Sequence, residues 1–361
     1  MKHYPSLLTL LSACVFSLSM ITGTAFAQRN DRRETMTTDR PYQTKTFSGN
    51  INAVRAETSG GSLTVEGTTD RNAKVEMFVR PNNSNDNLDK AEIEERLRDY
   101  DISIDQDGNT IVATAKRRGS NRDDWRRSLS ISFKFYTPRA VATDLRTSGG
   151  SINLSQLSGK QRFRTSGGSL NLTDVEGDIN GQTSGGSINL NRCRTNDRMD
   201  LQTSGGSIEA KESSGNMRLH TSGGSIRLTD LRGDIDAQTS GGSVQGSDLT
   251  GEIKAGTSGG SVRLSNVSGS VDASTSAGSV EVSIVKLGEY VRLSTSVGSV
   301  RVKMPLDKGM NLNLSGSRVN IPESLSKFDG DIEKNRVRGR LNGGGIAVNI
   351  SAGMGNVYVN Q

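Results

Sequence analysis

The sequence has little of what usually builds a globular core: hydrophobic residues make up 32% of its 361 residues and aromatic residues 4%. It contains two cysteines, two histidines and six prolines, whereas glycine occurs 42 times. A chain so poor in apolar residues is expected to be disordered unless those residues recur at a fixed period. With Cys14 and Cys193 as the only cysteines, a framework of several disulfides is excluded. Stability would have to come from packing.

Long hydrophobic runs are absent after residue 27, and the residues before it have the features of a secretory signal peptide. An apolar stretch follows Lys2 and ends near Ile21, and Ala25 and Ala27 frame a cleavage site before Gln28. We therefore expect an exported protein, located in the periplasm, at the cell surface or outside the cell. No later run is long enough to cross a membrane, so no transmembrane segment is expected after cleavage.

A second interpretation of the same segment is a lipoprotein signal, because Leu11-Ser12-Ala13-Cys14 has the form of a lipoprotein cleavage box. That cut would leave only about seven apolar or small residues ahead of it, a short core for a signal peptide. Cleavage after Ala27 is therefore favoured, and lipid anchoring through Cys14 is the alternative.

A five-residue repeat organises the middle of the chain. The string Thr-Ser-Gly-Gly-Ser recurs at spacings of 18 or 20 residues, and its last two copies replace the first glycine by Ala277 and Val297. The nine copies begin at Thr147, Thr165, Thr183, Thr203, Thr221, Thr239, Thr257, Thr275 and Thr295, and an isolated copy begins at Thr58. Self-similarity at such a period is the signature of a solenoid. The second glycine never changes, so we predict that it needs a positive φ or a close approach of another backbone.

Apolar residues occupy fixed positions within each repeat. In the copy that begins at Thr221, Ile226 and Leu228 flank a polar residue, and Ile235 and Ala237 do the same further on. Alternation with period two predicts strands with one buried face. Stacked repeats would share one continuous core. We predict an all-β fold, a single-chain parallel β-solenoid (β-helix) of 18-residue rungs, right-handed by the general chirality of strand crossovers.

Charged residues support in-register stacking. Between the two apolar residues of the second strand, the sign of the side chain alternates in the order Asp200, Arg218, Asp236, Lys254, Asp272 and Arg292. Residues one rung apart on one face are direct neighbours, where opposite charges stabilise pairing. In the first strand, Asn153, Asn171 and Asn189 share one position and predict an amide ladder.

The flanking segments depart from this period. We divide the chain into a signal peptide (1–27), a flexible polar arm (28–46), an N-terminal β segment with a short helix and a basic hairpin (47–146), the regular rungs (147–304), and irregular C-terminal rungs with a cap (305–361). Within the N-terminal segment, Asp89 is a predicted helix cap and Asp107-Gly108 a predicted hairpin turn. The stretch from residue 66 to residue 146 has the character of a small strand and helix insertion.

Three parts of the sequence resemble the bacterial family of uncharacterised domains labelled "putative adhesin", a β-solenoid domain of exported or envelope-linked proteins. They are the entry strand Ile131–Pro138 followed by Leu145–Gly149, the Thr-Ser-Gly-Gly-Ser rung itself, and the closing Gly339–Gly345 with Ser351–Val359. The resemblance covers residues 47–361. It implies the solenoid fold and an adhesin-like or scaffolding protein of the envelope or exterior, and it implies no catalytic residues.

Acidic residues beside the second turn are the candidate metal ligands. Asp230, Asp234, Asp248 and Glu252 lie in adjacent rungs, where their oxygens could converge on Ca²⁺. Aspartate is also an ordinary turn residue, and we expect no metal and no cofactor. The repeated Thr and Ser hydroxyls are likewise expected to bond to turn backbone and to one another rather than to act as nucleophiles.

Two other functions stay open beside the scaffold. One is a β-helix polysaccharide lyase or hydrolase. Sugar subsites of such enzymes are commonly lined with aromatic residues, and the only ones between 147 and 304 are Phe163 and Tyr290, which argues against this function. The other is a periplasmic partner in envelope signalling. In all three cases the partner itself is unknown, an envelope or surface component.

A basic segment is the candidate contact for an anionic polymer of the envelope. Its residues are Arg117, Arg118, Arg122, Trp125, Arg126 and Arg127. The alternative is a solvated hairpin tip, with Asp123 and Asp124 compensating the charge. An exported chain is not expected to bind nucleic acid. Cys193 occupies an apolar position of its rung and is expected in the core, while His220 is expected at the surface.

Overall fold

Strands of neighbouring rungs pair in parallel along most of the chain. The computed structural model describes residues 40–82, 88–119, 127–322 and 327–361. The predicted signal peptide, with Cys14, and residues 28–39 of the predicted arm lie outside these ranges. The arm prediction is wrong for residues 43–46, because a strand, β1 (Gln43–Phe47), already begins there and buries Phe47.

Fourteen strands form the regular rungs. They are β8 (Ala142–Thr147), β9 (Ile152–Ser155), β10 (Gln161–Arg164), β11 (Leu170–Thr173), β12 (Ile179–Gln182), β13 (Ile188–Asn191), β14 (Met199–Thr203), β15 (Ile208–Ser214), β16 (Met217–Thr221), β17 (Ile226–Thr239), β18 (Val244–Thr257), β19 (Val262–Ala277), β20 (Val280–Val297) and β21 (Val300–Lys303). From β17 to β20, one long strand bends through both strand positions of the rung, which are separate strands in the earlier rungs.

Equivalent residues of consecutive rungs are direct neighbours. Thr221 pairs with Thr239 across β16 and β17, and Thr239 pairs with Thr257 across β17 and β18. Inward side chains such as Ile226, Leu231 and Ile235 are at most 2% exposed and join one continuous core. The predicted parallel β-solenoid is therefore confirmed, and its right hand stays a prediction.

Two backbone requirements shape the corners of a rung. Gly233, before the second half of its rung, has φ of 118°, as have the equivalent glycines of other rungs within a few tens of degrees. In the repeat, a Cβ on the second glycine, Gly224, would lie 2.0 Å from the carbonyl oxygen of Gly206 one rung below, whereas one on the first, Gly223, would keep 3.5 Å. The second glycine is needed for close approach, as predicted, and the first admits Ala277 and Val297.

The isolated repeat at Thr58 is a full rung of the solenoid. Its strands β2 (Ala53–Thr58) and β3 (Leu63–Thr68) pair on one side with β8 and β9, so that Thr58 pairs with Thr147. On the other side they pair with β6 (Thr110–Arg117) and β7 (Leu129–Pro138). The first rung in sequence therefore lies second in space, and the sheet continues across the boundary predicted at residue 147.

Antiparallel strands and one helix close the N-terminal end. β4 (Ala73–Pro81) pairs with both β1 and β7, and β5 (Tyr100–Asp107) forms the predicted hairpin with β6. The helix α1 spans Lys90–Leu97, and the carboxylate of Asp89 accepts the backbone N–H of Glu92 at 2.9 Å, the predicted cap. No helix within the described ranges has the length and apolar character needed to cross a membrane.

The C-terminal end repeats this arrangement. The last strands in sequence, β26 (Ile346–Met354) and β27 (Asn356–Asn360), insert between two earlier rungs. They pair with β20 and β21 on one side and with β22 (Met310–Ser315) and β23 (Arg318–Asn320) on the other. The antiparallel strands β24 (Phe328–Ile332) and β25 (Arg336–Leu341) then close the sheet against β22. At both ends, antiparallel pairing finishes a row of parallel strands.

Candidate functional site

The repeated threonines are structural. The hydroxyl of Thr221 donates to the carbonyl oxygen of Gly206 in the preceding rung at 2.7 Å and accepts the backbone N–H of Gly224 at 3.3 Å. All nine repeat threonines, Thr147, Thr165, Thr183, Thr203, Thr221, Thr239, Thr257, Thr275 and Thr295, are buried and donate to the same carbonyl position. Their oxygens hold neighbouring corners together, in the backbone-bonding role predicted for them.

The last serine of the repeat also bonds across rungs. The backbone N–H of Ser225 donates to the side-chain oxygen of Ser207 at 3.3 Å, and Ser243 donates to Ser225 at 3.2 Å. These bonds join backbone to hydroxyl, whereas the sequence also predicted hydroxyl-to-hydroxyl contacts. The hydroxyls accept these bonds because the serine N–H at the corner of the next rung has no backbone carbonyl as its partner, and a backbone N–H needs an acceptor.

The outward positions form continuous columns along the rungs. The side-chain amide of Asn171 donates to the oxygen of Asn153 at 2.8 Å, and Asn189 donates to Asn171 at 2.8 Å, which confirms the predicted ladder. Below them, Asn153 donates to the hydroxyl of Thr64 at 3.2 Å. The ladder therefore extends into the rung of the isolated repeat.

The charged column of the second strand is in register, as predicted. Asp236 pairs with Lys254, and Lys254 with Asp272. Among the described residues, however, the ion pairs of this column run along a strand rather than between rungs: the ammonium of Lys254 lies 3.0 Å from Glu252. Opposite charges in the column interact at one strand spacing, and the closest contacts go to the acid two residues away on the same face.

Three of the four candidate metal ligands bond to side chains outside the predicted set. Asp230 accepts from Arg232 at 3.4 Å and Asp248 from Asn266 at 3.0 Å. Glu252 accepts from the hydroxyl of Tyr290 at 2.8 Å, and this bond, with that from Lys254, lowers the pKa of its carboxyl group. Asp234 pairs in register with Glu252. In the part of the chain that the structure describes, no three His, Cys, Asp or Glu side chains gather to hold a metal ion.

Half of the predicted basic segment can be placed. Arg122, Trp125 and Arg126 lie outside the described residues, whereas Arg117, at the end of β6, Arg118 and Arg127 lie within them. Arg127 is 3.1 Å from Glu95 of the helix and Arg118 is 3.8 Å from Asp101. Its contact with an anionic polymer stays a prediction.

Cys193 and His220 lie where the sequence placed them. Cys193 is fully buried in the column of Leu157 and Val175, and burial raises the pKa of its thiol to about 11. His220 lies in β16 on the outward face, between Gln202 and Gln238 of the neighbouring rungs. The thiol is a core group and the imidazole is a partly exposed surface group.

One feature of the outward columns was missed at the sequence level. Two residues after the alternating position of the second strand, Arg164 pairs in register with Arg146, so that two like charges are neighbours. The signal was present in the repeat, since the two residues are one period of 18 apart. It becomes meaningful only beside the neighbouring columns, where charges alternate.

Comparisons with known proteins give one family and several distant structures. The family model described as Toastrack DUF4097 matches residues 211–360. No curated protein matches the sequence. A "putative adhesin" from Bacteroides fragilis NCTC 9343 is 15% identical, with a TM-score of 0.33, over 72% of this chain and 96% of its own. A "putative adhesin" from Parabacteroides distasonis ATCC 8503 is 12% identical, with a TM-score of 0.30, over 89% and 98%. A "putative cell adhesion protein" from Clostridium sporogenes ATCC 15579 is 10% identical, with a TM-score of 0.20, over 89% and 100%.

Proposed function

Because residues 211–360 match the Toastrack DUF4097 family, we propose that this chain is an exported, non-catalytic scaffold or adhesin-like protein of the bacterial envelope or exterior. The proposal keeps the predicted leader, with cleavage before Gln28. It assigns the solenoid the task of presenting long, flat faces to a partner.

The observation that carries the proposal is the use of the repeated polar groups. The repeated polar groups are used up in bonds between neighbouring rungs. The threonine hydroxyls donate to backbone carbonyls of the preceding rung, as Thr221 does to Gly206, and the serine hydroxyls accept backbone N–H groups of the next rung. What each rung turns outward is a short set of amide and charged side chains at a fixed spacing of about 4.8 Å. A surface of that kind suits recognition of an extended partner by many weak, equivalent contacts.

Two measurements test location and retention. Mass spectrometry of the protein from fractionated cells should find the mature N-terminus at Gln28 and the chain outside the cytoplasm. The purified chain from Gln28 should then be retained by the envelope fraction and not by the cytosolic fraction. A heat-unfolded sample of the same chain is the control, because it keeps the composition and loses the columns. Cytoplasmic localisation, or equal retention of both samples, would contradict the proposal.

The enzymatic alternative has its own assay. The chain from Gln28 is incubated with acidic and neutral polysaccharides, and the products are examined for new reducing ends and for unsaturated ends. We expect neither to increase above the level with the unfolded sample. A saturable release of either would replace the scaffold by a polysaccharide-active enzyme.

A further inference from the structure

We propose that an acidic, carboxylate-bearing polysaccharide binds to the outward face of the second strands near the N-terminal end, through Arg146, Arg162 and Arg164. This inference rests on the proposed function and names its partner class. These three arginines are distinct from those of the basic segment at residues 117–127.

The first observation is a break in the alternation of charge. One column reads Arg55, Asp144 and Arg162 in three successive rungs, with opposite signs throughout. In the column beside it, Glu57 pairs with Arg146, but Arg146 then pairs with Arg164. Like charges directly opposite each other destabilise a sheet. The adjacent column shows that this fold accommodates alternation, so the repeated arginine is a local departure of the kind expected at a binding site.

The second observation is the shape of the surface. Arg146, Arg162 and Arg164 line an open groove of ≈ 510 Å³ that continues to Asn180 and Gln182. A smaller groove of ≈ 290 Å³, lined by Arg55 and Glu57, shares Asp144 and Arg146 with it. Together they cross four rungs, from β2 through β8 and β10 to β12, a distance of roughly 14 Å along the rod. That length suits a few units of an extended polymer.

The third observation is the uncompensated charge of the groove. Asp144 lies 3.5 Å from Arg146, and Glu57 is bound by Lys116 at 2.8 Å. Among the described residues, no carboxylate lies within 4.0 Å of the guanidinium groups of Arg162 or Arg164, and both side chains are exposed. An arginine fork binds a carboxylate with two parallel hydrogen bonds. These two arginines are therefore available for an external anion, with Arg146 beside them.

The neighbouring groups favour a polysaccharide over other polyanions. Asn180 and Gln182 continue the two columns beyond the arginines and supply amides that bond to hydroxyl groups. The one aromatic ring of the groove, Phe163, is 4% exposed and points into the core. The groove thus lacks an exposed ring on which a nucleic-acid base would stack or which would enter a lipid layer.

The experiment measures binding of the chain from Gln28 to polygalacturonate by isothermal titration calorimetry at low salt. The double variant Arg146→Gln with Arg164→Gln should raise Kd at least about tenfold, the equivalent of one good charged contact. The matched control removes the same charge from the first-strand face, as Arg227→Gln with Arg263→Gln, and should change Kd less than about twofold. Thermal unfolding verifies that each variant is folded.

A single variant separates binding from folding. The substitution Arg164→Glu restores alternation in its column, because Arg146 would then have an acid on both sides, Glu57 in one rung and the introduced glutamate in the next. We expect this variant to melt no lower than the parent and to lose measurable binding to polygalacturonate. A variant that binds as the parent does would overturn the site.

The remaining outcomes are also decisive. Absence of binding by the parent chain, or equal weakening in the control variant, would refute the proposal. So would binding to vesicles containing phosphatidylglycerol or to duplex DNA without binding to polygalacturonate, because the partner would then be another class of anion. If polygalacturonate fails while the envelope fraction still retains the chain, this inference falls and the proposed scaffold function stands.

Discussion

At the scale of single residues, the two glycines of the repeat have different structural roles. A Cβ on Gly206 would lie 2.0 Å from the carbonyl oxygen of Gly186, a separation that real atoms do not adopt. A Cβ on Gly205 would lie no closer than 3.6 Å to its neighbours, and the structure gives it no positive φ. The second glycine therefore sets how closely two corners can stack.

We expect Gly206→Ala to destabilise the chain by about 1–3 kcal/mol or more, because the corner must move away from the rung below. Gly205→Ala is the matched control, one residue away, and should change the free energy of unfolding by less than about 0.5 kcal/mol. Urea denaturation of both variants measures the difference. Equal stabilities would show that the corners do not limit the stacking.

The buried thiol gives a second residue-scale prediction. The pKa of Cys193 is raised from 9.0 to about 11, and burial of the thiol is the largest cause of this shift. Native protein at pH 8 should therefore react with a thiol reagent about 100-fold more slowly than unfolded protein, even before restricted access is counted. A rate equal to that of the unfolded chain would contradict the burial of this side chain.

The same shift predicts how stability depends on pH. The folded-state pKa lies above the unfolded value, so the contribution of the thiol is fully present below pH 9 and is lost as pH rises toward about 11. The variant Cys193→Val carries the residue of the equivalent position in the preceding rung, Val175. It should remove the part of the decline in stability with pH that the thiol causes. Urea denaturation at pH 8 and pH 10.5 gives the free energy of unfolding of both chains. If that free energy falls equally in both between the two pH values, the decline does not come from the Cys193 thiol.

At the scale of elements, the columns decide which strands can be neighbours. Lys254 has Asp236 below it, Asp272 above it and Glu252 beside it on its own strand. We expect Lys254→Glu to lower the free energy of unfolding by about 1 kcal/mol, because it places an acid among three others. The control Lys286→Glu makes the same change next to Ser268, where no acid faces it in register.

Thermal unfolding at low and high salt completes this test. Repulsion between partly exposed charges is screened, so the cost of Lys254→Glu should shrink in 1 M NaCl, where the Debye length is about 3 Å. The cost in Lys286→Glu should stay near zero at both salt concentrations. A loss that does not depend on salt would place its origin in packing rather than in the charged column.

What the sequence could predict follows from its period. The rungs, the amide ladder of Asn171 and the partners of Lys254 all repeat every 18 or 20 residues, so one register predicts all of them. The closest ion pair of Lys254 was missed because a long side chain also reaches the acid two positions along its own strand. The like pair Arg146 and Arg164 was missed because one column has to be compared with another.

At the scale of the whole molecule, the rungs at both ends do not stack in the order of the sequence. Thr58 pairs with Thr147, 89 residues later, and Val291 pairs with Val348. Residues 69–141 show no periodicity from which the pairing of Thr58 with Thr147 could be predicted. In space, each end holds a rung between two others, and an antiparallel layer covers the outermost one. The ends are therefore long-range structures, while the middle is a stack of equivalent units.

Equivalent units can be removed if their columns still match. Deleting residues 221–256 takes out two rungs and joins His220 to Thr257. Arg218 then meets Asp272, and Glu209 meets Arg263, so both columns keep their alternation. Deleting only residues 239–256 takes out one rung and places Asp236 against Asp272. We expect both chains to fold, with the two-rung deletion giving a rod roughly 10 Å shorter.

A deletion of one and a half rungs provides the control. Removing residues 221–247 takes out fewer residues than the two-rung deletion, but it brings a second-strand segment to the place where the first strand should stack. Asp248 then takes the corner position of Thr221, and Ser258 takes the buried position of Leu231. A corner hydrogen bond and an apolar core side chain are lost, so we expect loss of cooperative unfolding. Small-angle scattering and thermal melts compare the three chains. If the one-and-a-half-rung chain folds as well as the two-rung chain, matching corner and core positions are not what holds the solenoid together. If the two-rung chain fails to fold, the rungs are not interchangeable, and the middle of the molecule depends on contacts specific to each rung.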